Sequence, residues 1–138
     1  MDKMLLVVGR GLLDKGYIDK DLLVWGRRTK KSSPTHEFVI IGLKEEKLML
    51  LPFKENFDNI LYDQVKYYEK GSVILKYSRF SANLTISFPG RSDFIEYSDK
   101  TGGSELNIIV LMFNKAYENE LKGENPLRTE EKKKRRFF

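Results

Sequence analysis

Between residues 38 and 97 the apolar positions come in short runs separated by turn-forming residues, which is the pattern of β-structure. Phe38 to Ile41 is an unbroken apolar run rich in β-branched side chains, bounded by Pro34 and Gly42. Leu43-Lys44-Glu45-Glu46-Lys47 is a charged turn and Leu48 to Phe53 a second apolar run, so the two runs read as a hairpin. Glu55 to Asn59 is another turn. Ile60 to Tyr68 keeps neither a period of two nor one of 3.6, and reads as a strand that changes face near Asp63 and Gln64. After the Lys70-Gly71 turn, Val73, Leu75 and Tyr77 alternate with Ile74 and Lys76. Leu84, Ile86 and Phe88 alternate with Thr85 and Ser87, the cleanest half-buried strand in the chain, and Pro89-Gly90 ends it. Phe94 to Tyr97 adds a last short strand.

The two ends of the chain follow other patterns. Met4 to Val8 fits a strand or the start of a helix, while Gly9, Gly11 and Gly16 argue against a long helix. Asp21 to Gly26 reads as a short strand, and Arg27 to Pro34 as a polar, basic loop. Near the other end Ser104 can cap a helix with Glu105 in its first turn. Leu106, Ile109, Val110, Phe113 and Tyr117 then form one apolar stripe, Lys115 and Lys122 lie where cations suit the helix dipole, and Gly123 and Pro126 stop it. Ile108, Leu111 and Met112 extend the apolar surface beyond that stripe. A deeply buried helix, or a strand over residues 106–113, would account for them. So would a helix face that docks a protein partner or a second copy of the chain. The whole pattern predicts a mainly β (α+β) fold: a small antiparallel barrel or orthogonal sandwich of about seven strands, capped by one C-terminal α-helix. Residues 1–126 read as a single domain and residues 127–138 as a flexible basic tail.

Composition narrows the chemistry. The 138 residues contain no cysteine and one histidine, which excludes thiolate metal sites, disulfides and cysteine nucleophiles. His36 beside Glu37 at the start of a strand reads as a polar edge residue, with no nucleophile placed around it. Gly9-Arg10-Gly11 lacks the third glycine of a dinucleotide fingerprint. The expectation is a protein that is not an enzyme and uses no metal or cofactor. No stretch has the form of a secretory signal, and the longest apolar run, Ile108 to Phe113, falls far short of a membrane span. A cytoplasmic protein, at most peripheral at a membrane, is expected.

The net charge is +5, and it sits at the two ends. Residues 128–138 hold six basic side chains against two acidic ones, and residues 1–36 eight against four. Lys132, Lys133, Lys134, Arg135 and Arg136 are followed directly by Phe137 and Phe138. Such a run suits anionic lipid headgroups, with the aromatics entering the headgroup boundary. At about 1 kcal/mol per basic residue, the surplus over acidic ones gives a weak anchor that needs a second contact. It also suits nonspecific nucleic-acid binding, and a solvated end with no partner remains open. Arg27, Arg28, Lys30 and Lys31 form a second basic cluster that can cradle phosphates or stand as a solvated turn.

The order of elements resembles the pleckstrin-homology-like fold, especially its GRAM-like and bacterial members. Phe38-Val-Ile-Ile-Gly-Leu-Lys-Glu-Glu-Lys-Leu-Met-Leu-Leu-Pro-Phe53 is similar to their second and third strands. Asn59 to Val65 is similar to the segment that follows, and Val73 to Phe88 to the next hairpin. The resemblance covers roughly residues 22–122. It implies two bent sheets with the helix plugging one end, and a binding or adaptor module without catalysis. It also implies phosphoinositide binding through the loop between the first two strands, where Arg27, Arg28, Lys30 and Lys31 would lie. The family's basic residues entering the second strand are replaced here by His36-Glu37-Phe38, and the tryptophan of the final helix is absent. A protein partner or an anionic membrane surface is therefore expected, with a small basic nucleic-acid-associated regulator as the alternative.

Overall fold

The structure is a computed structural model that describes residues 2–29, 37–54 and 56–123. The elements run α1 (Asp2–Lys15), β1 (Val24–Arg28), β2 (Phe38–Lys44), β3 (Lys47–Phe53), a 3₁₀ turn (Tyr62–Gln64), β4 (Lys66–Tyr68), β5 (Ile74–Ser78), β6 (Asn83–Ser87), β7 (Phe94–Asp99) and α2 (Glu105–Gly123). All seven strands join one antiparallel sheet in the order β4-β3-β2-β1-β7-β6-β5. The fold is thus mainly β with a C-terminal helix. The sheet is not closed into a barrel: β4 and β5 are its two edges. Side chains span part of that seam instead, with the Tyr68 ring 6.0 Å from the Phe88 ring and the Arg91 guanidinium 4.5 Å over Phe88.

The hairpin of β2 and β3 pairs from Phe38↔Phe53 to Lys44↔Lys47. Its turn is narrower than the charged stretch implied: only Glu45 and Glu46 are unpaired, at φ 51° and 66°. Two positive φ values are what a type I′ turn needs, a geometry usually filled by Asn-Gly. Neighbouring segments hold the turn in place. The Glu45 amide donates to Asp19 Oδ2 at 2.7 Å, and Lys70 Nζ reaches Glu46 Oε1 at 2.5 Å.

Both strands of this hairpin are buried on both faces. Val39, Ile41, Leu43, Leu48 and Leu50 face inward and pack with β5, β6, β7 and the Leu106, Ile109, Val110, Phe113 face of α2. Ile40, Met49, Leu51 and Phe53 face the other way, into a second cluster built with Leu5 and Leu12 of α1, Ile18 and Phe57. Trp25 belongs to this outer cluster, edge-on to Phe53 and Phe57 at 5.9 and 6.1 Å. Gly42 leaves room for it: a Cβ there would stand 3.0 Å from both Ile18 and Leu23. By contrast β5, β6 and β7 bury every second residue only (Leu75, Leu84, Ile86, Ile95, Tyr97), as their alternation implies.

Three local expectations are corrected. First, α1 is a fourteen-residue helix despite Gly9 and Gly11. Burial of Leu5 and Leu12, with Val8 and Leu13 half-buried, outweighs the propensity cost, since most helix stability in proteins comes from packing. Gly16, at φ 82°, is its stop: Gly16 N donates to Leu13 O and Tyr17 N to Leu12 O, the paired bonds of a Schellman cap. Second, Ile60 to Tyr68 is not one strand. Ile60 bridges Phe53, the Tyr62–Gln64 turn follows, and β4 begins at Lys66, which explains why no single period fits. Third, Arg27 and Arg28 end β1 rather than opening a loop. Residues 106–113 are helical, not a strand.

Candidate functional site

On α2 the helical repeat separates two apolar faces. Leu106, Ile109, Val110 and Phe113 are buried against the inner face of the sheet, while Ile108, Leu111 and Met112 turn outward and are 41%, 59% and 37% exposed. The three residues that overflow the main stripe are therefore a surface. They are brought together on consecutive turns of a helix that lies against β5 and β2. Asn114 Nδ2 donates to the Leu75 carbonyl at 3.5 Å, which ties the helix to the edge strand and holds its outer face in register.

One turn before Ile108, Glu105 lines a groove of about 450 Å³ between α1, residues 21–23 and the loop from β7 to α2. Leu5, Leu22 and Leu23 supply apolar surface, and Leu6 on its rim is 68% exposed. The loop wall is fixed by a small network. Trp25 N donates to Thr101 Oγ1 at 2.9 Å, Thr101 N to Asp99 Oδ1 at 2.8 Å, and Lys100 N to the Trp25 carbonyl at 3.0 Å. Burial pushes the Asp99 carboxyl above the usual carboxylate range; its bonds from Thr101 pull it back and the Glu105 charge pushes it further up. One carboxylate oxygen of Glu105 is buried with no hydrogen-bond partner among the described residues. It sits where a Cβ on Gly103 would stand, so a side chain at that position would require the Glu105 carboxylate to move.

A second cavity, about 400 Å³, opens on the inner face near the β4 edge. Val39, Leu50, Ile95 and Tyr97 line it, with Lys66, Tyr68 and Asp63 adding polar groups. The basic cluster lies at the same end of the sheet but is split. Arg27 and Arg28 are consecutive strand residues and so point to opposite faces. Arg27 Nε pairs with Glu37 Oε2 at 2.8 Å and its guanidinium lies 5.9 Å from the Phe38 ring. Arg28 is half-buried, and its amide donates to the Glu37 carbonyl at 2.8 Å. Lys30, Lys31 and His36, and Lys132, Lys133, Lys134, Arg135, Arg136, Phe137 and Phe138, lie outside the described residues.

The sequence pattern missed two features. Phe80 is fully exposed at the turn between β5 and β6; its signal is an aromatic residue alone among Ser78, Arg79 and Ser81. The groove beside α2 has no local signal, because its walls come from residues about a hundred positions apart in sequence. Among the described residues no group of three His, Cys, Asp or Glu side chains is placed to hold a metal ion, and no helix is long and apolar enough to cross a membrane. Compared with protein-family models, with curated proteins and with solved structures, the chain matches none, so the fold and these surfaces stand on their own geometry.

Proposed function

We propose that this chain is a non-enzymatic binding module of the pleckstrin-homology-like kind, and that it docks a protein partner on the outer face of α2. Support for the fold comes from the order of seven antiparallel strands followed by one helix. A single observation carries the docking reading: Ile108, Leu111 and Met112 are exposed together on a helix whose other apolar face already fills the core. Neighbouring exposed apolar side chains mark interaction surfaces, whereas scattered single ones do not. The lipid reading keeps the basic segment 128–138 but has less support from the sheet. There Arg27 is paired with Glu37, and such exposed pairs blunt the field a headgroup would feel. The nucleic-acid reading needs aromatic faces free for stacking beside the basic cluster, and Trp25, the aromatic next to Arg27 and Arg28 in sequence, is enclosed by Phe38, Phe53 and Phe57.

A photoreactive benzophenone residue placed at position 111, with position 76 on the outer face of β5 as control, tests the reading in cells that make the protein. A discrete protein adduct from position 111 and none from position 76 is expected. The same adducts from both positions, or none from 111, would refute it. Co-sedimentation with anionic but not neutral vesicles, lost without residues 128–138, would favour the lipid reading in its place.

A further inference from the structure

We infer that α1 pairs with α1 of a second copy of the chain, antiparallel and face to face, through its outward surface. That surface is distinct from the partner face on α2, and the inference does not depend on it. α1 is the outer layer over the hairpin, with Leu5 and Leu12 buried on its inner side and Val8 and Leu13 half-buried. Its other side still carries large apolar residues: Met4 is 42%, Leu6 68% and Val7 72% exposed. Leu6 and Val7 are more exposed than any of the three apolar residues on the outer face of α2. Val7 is central. At 3.6 residues per turn Lys3, Val7 and Asp14 fall along one line of the helix, with Met4 on one flank and Leu6 on the other.

The charges on that line select the occupant. Lys3 and Asp14 are both exposed, and neither side chain has an ion pair or hydrogen bond among the described residues. Each also opposes its own helix dipole, as a cation in the first turn and an anion in the last. Lys15, which does suit the last turn, is drawn aside over the Tyr62 ring, 5.1 Å from its centroid. A second α1 turned end for end, about a two-fold axis near residues 8 and 9, answers both charges. Lys3 of each copy then meets Asp14 of the other, and the two dipoles run opposite ways. In the same register Val7 lies over Arg10 of the second copy, whose methylene stem can cover it while the guanidinium stays in water. A parallel pair would set Lys3 against Lys3 and Asp14 against Asp14. An anionic membrane would suit Lys3 and Arg10 but not Asp14 on the same line. The contact is small, since α1 is only about 21 Å long, so the dimer is transient rather than obligate.

Sedimentation equilibrium of the full-length chain tests the pairing. A reversible monomer–dimer equilibrium is expected, with a dissociation constant on the order of 100 µM for so small an interface. Salt near 1 M, where the screening length falls to about 3 Å, should weaken it severalfold. Val7→Glu puts a charge at the apolar centre and should weaken it at least about tenfold. Lys3→Glu and Asp14→Lys each set like charges together and should weaken it at least about threefold. The two combined exchange the charges and should restore it to within about twofold of the parent. Leu111→Glu on α2 should leave it unchanged. All these positions are exposed, so the variants should keep the parent's far-UV circular dichroism. The charge-exchanged variant reads the interface even where a single change weakens α1 itself. A monomer at every concentration, a dimer that Leu111→Glu dissolves or that Val7→Glu leaves intact, or an exchanged variant no better than the single ones would each overturn the inference. So would a chain that stays monomeric and binds anionic vesicles through Val7.

Discussion

The β2–β3 hairpin and the β5–β7 meander belong to one sheet but are buried differently. The hairpin has a core on each side, with α2 inside and α1 outside. The meander has a core on one side and solvent on the other. The same difference is written in the sequence as unbroken apolar runs against alternation. A strand covered twice carries no face information in its pattern, because both faces are apolar. A strand covered once states its inward face outright. An unbroken run in an antiparallel sheet is therefore a sign that a second layer lies over it, and here that layer is α1.

The strongest way to break the comparison is to remove apolar bulk from an outward-facing position in each half. Leu51→Ala, on the α1 side of β3, is expected to cost about 2–5 kcal/mol in urea unfolding. Thr85→Ala, on the outer face of β6, should stay within about 0.5 kcal/mol. Equal costs would mean that α1 does not cover the hairpin.

Smaller effects sharpen the same point. Gly42→Ala forces a methyl to within 3.0 Å of Ile18 and Leu23 under the α1 layer, so a loss of about 1–3 kcal/mol is expected. Gly11→Ala meets nothing within 4 Å, and should gain up to about 1 kcal/mol of thermal stability by favouring α1. Glu46→Gly relieves a left-handed residue in the hairpin turn and should gain about 1 kcal/mol, since the exposed pair it forfeits with Lys70 is worth little.

The smallest effect lies at the end of β7. Burial raises the Asp99 carboxyl above its ordinary range, so the folded state holds that proton more tightly than the unfolded one. Its contribution is fully present below the ordinary carboxylate range and is lost as pH rises through the raised value. Asp99→Asn keeps an acceptor for the Thr101 amide and removes the charge. It should melt slightly higher than the parent at neutral pH, by under about 1 kcal/mol after solvent screening, and converge with it in acid. A constant offset across the pH range would assign the effect to packing.

Much of the frame was legible because its signals are local. Phe38 to Ile41 and Leu48 to Phe53 announce a hairpin, Leu84 to Phe88 announces a half-buried strand, and Leu106 to Phe113 follows the helical repeat. Ile108, Leu111 and Met112 were legible as overflow from one stripe, although the pattern left open whether more core or open solvent awaited them. The helix α1 was not legible. Its glycines count against it in a propensity sum, while the hairpin surface that rewards Leu5 and Leu12 lies far along the chain. Arg27 and Arg28 read as loop because a basic pair after a glycine looks like one; pairing with both Phe38 of β2 and the end of β7 extends the strand through them.

By itself, then, the sequence determined the hairpin from Phe38 to Phe53 by its unbroken apolar runs, and the alternating strands between Val73 and Tyr97 and the final helix by apolar residues that repeat at the spacing of their own backbone. The tertiary structure alone decided the second core under α1, the open seam between β4 and β5, and the carboxylate-lined groove where Leu22 and Leu23 pass between two helices. The reason is physical. Periodicity records which way a side chain points relative to its own element, while burial depends on what arrives on that side from elsewhere in the chain.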